Sequence, residues 1–253
     1  MSAPVTDPFL RWQVPPEQVH RRWDVGDAVG VLHAGWHGRP SLTVLGDPDD
    51  AARLVVRALT EGAPVRRVTL PVGTLARLPD PLPGGLRVGD GADWDWMWTQ
   101  TPPPVQPGEE HVVRLRPDEE PDVAALLDVA SPRTSARPGD EGVRGWWGIR
   151  EPAGRLVACA GHTERVTGVP HLAGIAVLPE LRGRGLGGAV TAGITRAVLA
   201  DGAEVCTLGM YADNDPARRV YDRLGYVTEH RFSSRVLTRA RVSPGRPRAA
   251  GRG

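Results

Sequence analysis

The chain has 253 residues, 40% hydrophobic and 24% charged, a balance that suits a soluble globular protein of one large domain or two ordinary ones. The formal net charge is only +1, so no global field selects for nucleic acid or a membrane surface. No apolar run approaches the ~20 residues that span a bilayer, and the opening MSAPVTDPFLRWQ has no charged segment followed by an apolar one, which points to a cytoplasmic protein.

In chain order, AVGVLHAG and PSLTVLGD read as strands joined by a turn at WHGR. DPDDAARLVVRALTEG follows as a helix, with Asp47 at the N-cap, Pro48 at the first helical position and Leu54, Ala58 and Leu59 at helical spacing. VRRVTLPV is a strand. DWDWMWT alternates strictly and sets Trp94, Trp96 and Trp98 on one face, where they stack on a ligand or cover a neighbouring helix or domain. The stretch TPPPVQPGEEH places a proline-rich, semi-rigid connector at residues 101–110, after a first α/β domain over residues 1–100.

Beyond the connector, HVVRLRP is a strand, EEPDVAALLDVA a helix, and GWWGIRE and GRLVACAGHTER a hairpin turning at Pro152–Gly154. PHLAGIAVLP is a strand that leads into a glycine loop, and GGAVTAGITRAVLADG is the helix after it, closed by Gly202. EVCTLGMY is a strand, DPARRVYDRLG a short helix and YVTEHRFSSRVL a last strand. This second domain ends near Leu237, and the arginine-rich tail 238–253 has almost nothing to bury and is expected to be disordered. Five tail arginines without interleaved aromatics argue weakly for nucleic acid. Cys159 and Cys206 sit in apolar runs as core thiols, and no Cys/His spacing suggests a metal.

The glycine loop is the chemical signal. Consecutive backbone N–H groups at a helix N-terminus favour an anion, and glycine lets a phosphate come close. Gly183, Gly185 and Gly188 match a dinucleotide fingerprint, but five residues separate Val177 from Gly183. Of the acids that could hold a ribose, Glu204 precedes the next strand and Asp213 follows it too late, and the loop does not open a run of parallel units. A P-loop is excluded because no Gly-Lys-Ser/Thr follows.

Arg182-Gly183-Arg184-Gly185-Leu186-Gly187 instead resembles the R/Q-x-x-G-x-G/A signature of the GNAT superfamily of N-acetyltransferases. About thirty residues later, the run from Asn214 to Tyr226 is similar to the family's N-x-x-A-x-x-x-Y-x-x-x-G-F/Y pattern. The resemblance covers roughly residues 111–237. It implies a mixed α/β sheet of the GNAT type preceded by a smaller α/β domain, with acetyl-CoA wedged between two splayed strands and a primary amine as acceptor. By the same resemblance, the loop from Arg182 through Gly183, Arg184, Gly185, Leu186 and Gly187 to Gly188 would hold the pyrophosphate. Ile175, Ala176 and Val177 would offer backbone to the pantetheine arm, with a strand bulge and its oxyanion donor near Ala176 or Val177. Asn214 would sit beside that arm and cap the short helix.

Tyr221 stands where many family members carry the acid that protonates the departing thiolate, and a core tyrosine is its other reading. His171 is the candidate general base, or an ordinary strand-end histidine, with His162 and Glu164 behind it. The segment SPRTSARPGDEGVRGWW, with Arg133, Arg137, Asp140 and Glu141, would face the acceptor. The resemblance also leaves open an idle coenzyme-binding sensor or scaffold, a homodimer, and a degenerate GNAT-like first half.

Overall fold

The computed structural model describes residues 7–35 and 38–239. Eleven strands form one sheet: β1 (Val19–Val25), β2 (Ala28–Ala34), β3 (Pro40–Leu45), β4 (Arg67–Pro71), β5 (Leu86–Thr99), β6 (Val113–Arg114), β7 (Val143–Arg150), β8 (Leu156–Glu164), β9 (Pro170–Val177), β10 (Cys206–Tyr211) and β11 (Val227–Arg239). The helices are α1 (Pro8–Gln13), α2 (Pro48–Thr60), α3 (Glu120–Ala130), α4 (Leu186–Ala200) and α5 (Asp215–Arg223).

The order across the sheet is β1-β2-β3-β4-β11-β5-β10-β9-β8-β7-β6. It has nearly the same plan from either edge. An antiparallel hairpin (β2–β3, or β8–β9) leads into a parallel pair bridged by a helix, β3·β4 through α2 and β9·β10 through α4. Each half then sends its last strand across the middle. β5 of the first half pairs with β10, β11 of the second half pairs with β4, and β5 and β11 pair with each other.

This exchange corrects the expected division into two domains. Residues 1–100 are not a smaller domain set in front of another, because their longest strand is an interior strand between two from the second half. The proline-rich stretch is not a free connector either. It lies along α4, where Arg196 donates to the Pro103 carbonyl (2.8 Å) and pairs with Glu109 (2.8 Å).

Most sequence-read elements stand, with shifted ends. The strand expected over HVVRLRP shrinks to Val113–Arg114, and the strand around DWDWMWT starts at Leu86. β11 runs two residues beyond Leu237. The rest of the tail, 240–253, and the tip of the WHGR turn lie outside the described residues.

α2 and α4 cover one face of the sheet, each through its apolar stripe. α2 buries Leu54, Val55 and Ala58 against Leu42, Val68 and Leu70, while α4 buries Val190, Ile194 and Val198 over Leu172 and Leu208. On the other face α1 lies across the middle. Asp7 caps it, accepting from the Phe9 and Leu10 amides. Phe9 meets Trp96 edge-on at 5.3 Å and Trp12 meets Trp98 at 5.3 Å, so the tryptophan row serves mainly to seat a helix. Asp95, pointing the opposite way from β5, is 1% exposed and pairs with Arg218 of α5.

Candidate functional site

The centre of the second half is a wedge. β9 and β10 share only two registered pairs, His171–Thr207 and Leu172–Leu208, after which they part. Ala173, Ala176 and Val177 stay paired to β8 on one side, so the backbone groups of their other edge are left toward the gap. Between Ala173 and Ala176 the β9 chain holds one residue more than β8 opposite it. This bulge centres on Gly174–Ile175, earlier than the expected Ala176 or Val177, which pair regularly with Cys159 and Ala158. Gly174 has φ +61° and lies against the buried Trp146 ring, so both its backbone and its lack of a side chain are required there.

At the mouth of the wedge the chain turns through Pro179–Leu181 into the glycine loop, and α4 starts at Leu186. Gly185 is the N-cap, with φ +83°. No side chain caps the helix and no acid sits in its first turn. Gly187 lies close to Val177 and Gly188 packs toward Val220 and Gln106, which lets the first turn sit against β9 and α5. Arg184 is exposed and makes no ion pair among the described residues, and Gly183 beside it is exposed as well. Arg182 is placed differently from expectation. Its guanidinium donates to the carbonyls of Ala130 (2.9 Å) and Val177 (3.3 Å), tethering the loop to the end of α3.

α2 is the internal control. It follows its parallel strand in the same way, but Asp47 accepts from the Asp49 and Asp50 amides, and two further carboxylates crowd the first turn. An anion would meet filled donors and negative charge there. At α4 it meets free amides and a positive helix end.

On α5, Asn214 caps the helix by accepting from the Ala217 amide at 3.3 Å. Tyr221 is buried, and burial raises its pKa, so the phenol stays protonated. Its hydroxyl bonds to none of the described residues.

His171 Nδ1 lies 3.0 Å from Thr207 Oγ1. That hydroxyl also receives Gln13 Nε2–H from α1 (3.0 Å) and donates to the Pro170 carbonyl (3.0 Å). One hydroxyl hydrogen cannot be spent twice, so Nδ1 must be the donor to Thr207. The neutral ring then keeps a lone pair on Nε2. Burial, with the charge of Arg165 nearby, pulls this imidazole down to about 4. His162 and Glu164, bonded to each other at 3.1 Å, point to the opposite face of the sheet by strand alternation and do not join His171.

Two arginines of the expected acceptor segment already have partners within the chain. Arg133 stacks on Tyr211 (4.4 Å) and pairs with Asp213 (3.4 Å), and Arg137 pairs with Asp128 (2.7 Å). Cys159 and Cys206 are fully buried, and burial pushes both thiols up to about 12. Sequence reasoning missed Gln13 and Thr207, which are 194 residues apart, and Gly174, whose only trace is a glycine inside a strand.

The family profile of FR47-like proteins matches residues 147–235, the stretch that carries the wedge, loop and α5. Among solved structures, a GNAT-family protein from Novosphingobium aromaticivorans is 25% identical. The match covers 88% of this chain and 92% of that one, with a TM-score of 0.55. GCN5-related N-acetyltransferases from Sphaerobacter thermophilus (18% identity, 83% and 75% covered, TM-score 0.57) and Kribbella flavida (21%, 85% and 88%, TM-score 0.50) share the fold. No curated protein matches the chain. The chain therefore has the mixed α/β fold of the GNAT acetyltransferases, as one continuous sheet.

Proposed function

We propose that the chain, built on the GNAT acetyltransferase fold, is an acetyl-CoA-dependent N-acetyltransferase that moves an acetyl group onto a primary amine. The observation that carries this reading is the contrast between two helix N-termini in equivalent places. α2 is capped and acidic, whereas α4 is uncapped, free of acids and set at the mouth of a wedge. Amides from Arg184 to Gly188 would take the pyrophosphate, with Arg184 adding its charge. Arg182 would hold the loop rather than the ligand. The free edge of β9 at Ile175, Ala176 and Val177 would receive the amide-bearing arm, with Asn214 beside it.

In the reaction, the amine nitrogen attacks the thioester carbonyl carbon; an N–C bond forms and the C–S bond breaks. Charge on the carbonyl oxygen would be met by a backbone N–H turned out of the ladder at the Gly174–Ile175 bulge. His171 Nε2 would take the proton from nitrogen after attack, when that nitrogen has become acidic, and pass it to water. Tyr221 would give its hydroxyl proton to the departing thiolate and recover one from solvent.

Calorimetric titration with acetyl-CoA, using NADH as control, tests the reading. Micromolar binding of acetyl-CoA alone, followed by thiol release in the presence of an amine, supports it. A protein that leaves acetyl-CoA unbound is not this enzyme.

A further inference from the structure

β10 lies in the middle of the sheet, and its residues Leu208 and Met210 are 0% and 6% exposed. Gly209 between them is exposed. A solvent-open glycine in an interior strand is the floor of a recess. By alternation the recess opens on the face that carries His171, Thr207 and the tryptophan row, away from α4. A methyl group on Gly209 would stand 3.4 Å from Cε3 and Cζ3 of Trp94 and 3.8 Å from Cε1 of His171. These two side chains are its walls. Tyr211, registered opposite Trp94, extends the same surface.

What the walls present is mostly carbon. Trp94 turns the six-membered edge of its indole to the floor, while Nε1 donates to Ser234 Oγ (2.9 Å), itself bonded to Thr69 (2.8 Å). Tyr211 donates its hydroxyl to the Arg133 carbonyl at 2.6 Å. His171 spends Nδ1 on Thr207. Of these three side chains, the polar atom left without a partner among the described residues is His171 Nε2, adjacent to the Cε1 that faces the floor.

We infer that the recess over Gly209 is the acceptor pocket, and that it selects an amine carried on a flat apolar body, such as an arylalkylamine, over a polycationic one. This rests on the acetyltransferase reading for its chemistry but not for its geometry. The flat group lies against Trp94 over the floor, and the amine meets Nε2. Trp94 comes from β5, so the half without an open anion site supplies the wall that chooses the substrate.

The test is direct titration of the full chain with 2-phenylethylamine and with spermidine, in parallel with acetyl-CoA. Phenylethylamine should bind and spermidine should not. Gly209→Ala, whose methyl fits without a clash yet fills the floor, should weaken phenylethylamine about tenfold and leave acetyl-CoA affinity unchanged. Trp94→Leu, a second variant that opens the wall, should weaken it likewise. Spermidine binding as tightly as phenylethylamine, or an unchanged phenylethylamine affinity in both variants, overturns the pocket. If the amine pattern holds while acetyl-CoA fails to bind, the pocket stands and the coenzyme reading falls. The reverse pattern removes only the pocket.

Discussion

Tyr221 and Tyr226 face each other edge to face, with ring centroids 6.1 Å apart, yet they use their hydroxyls in opposite ways. Tyr226 bonds to Thr195 (2.7 Å) and Cys206 (3.3 Å) in the core, while Tyr221 keeps its hydroxyl unbonded among the described residues. The Tyr226→Phe variant should therefore lose about 1 kcal/mol of stability with near-normal turnover. Tyr221→Phe should keep its stability and acetyl-CoA affinity but lose turnover about a hundredfold. Thermal melts and steady-state rates on the two proteins separate the roles, and normal turnover in Tyr221→Phe ends the acid assignment.

The two helix N-termini give a paired experiment. At Gly185, φ +83° strains any side chain, and a glutamate adds negative charge where amides are free. The Gly185→Glu variant is expected to abolish acetyl-CoA binding in calorimetry. Asp47→Ala should cost about 1 kcal/mol of stability through the lost α2 cap, with coenzyme affinity intact. A loss of coenzyme binding in the Asp47 variant would mean that the wrong helix has been chosen.

Two histidines should make the protein acid-sensitive. Burial and the charge of Arg165 bring both His33 and His171 from 6.5 down to about 4. The unfolded chain takes up their protons below about 6.5, and the folded chain only near 4. Their contribution to stability is thus complete above 6.5 and is lost progressively as the pH falls from 6.5 toward 4. Melting temperature should drop over that window, and His33→Gln should flatten the slope. An equally steep profile in that variant would show that His33 is not held neutral by the fold.

Cutting the chain at the proline-rich stretch should leave neither piece folded. Residues 111–253 alone would lack β5, baring β10 and β11 along their shared neighbour and leaving Arg218 without buried Asp95. Circular dichroism of the fragment should show no cooperative melt, and adding residues 1–110 should restore one. A cooperative melt from the fragment by itself would contradict the interlocked sheet.

The second half was legible because its chemistry is local. The loop glycines, the Asn214 cap and the helix after β9 all leave signals within a few residues of where they act. What escaped is made by contacts across the chain. β1 buries only Trp23 deeply, so an edge strand with outward side chains shows no clear alternation. α1 spans only six residues and owes its place to aromatic contacts with β5 and β11. The division into domains failed for the same reason: prolines mark a bend in the backbone, but strand order across a sheet leaves no mark at the junction. His171 could be named from its position. Its tautomer could not, because Gln13 and Thr207 fix it from opposite ends of the sequence.

The exchanged strands also set a timetable for synthesis. Both neighbours of β5 are encoded more than a hundred residues after it: β10 begins at Cys206 and β11 at Val227, whereas β5 ends at Thr99. A ribosome making this protein extrudes a strand bearing three tryptophans long before either partner exists, and non-local pairing of this kind is slow and exposed to aggregation. The nascent first half waits on the last strands of the chain, and yield in the cell will depend on what shelters those tryptophans meanwhile.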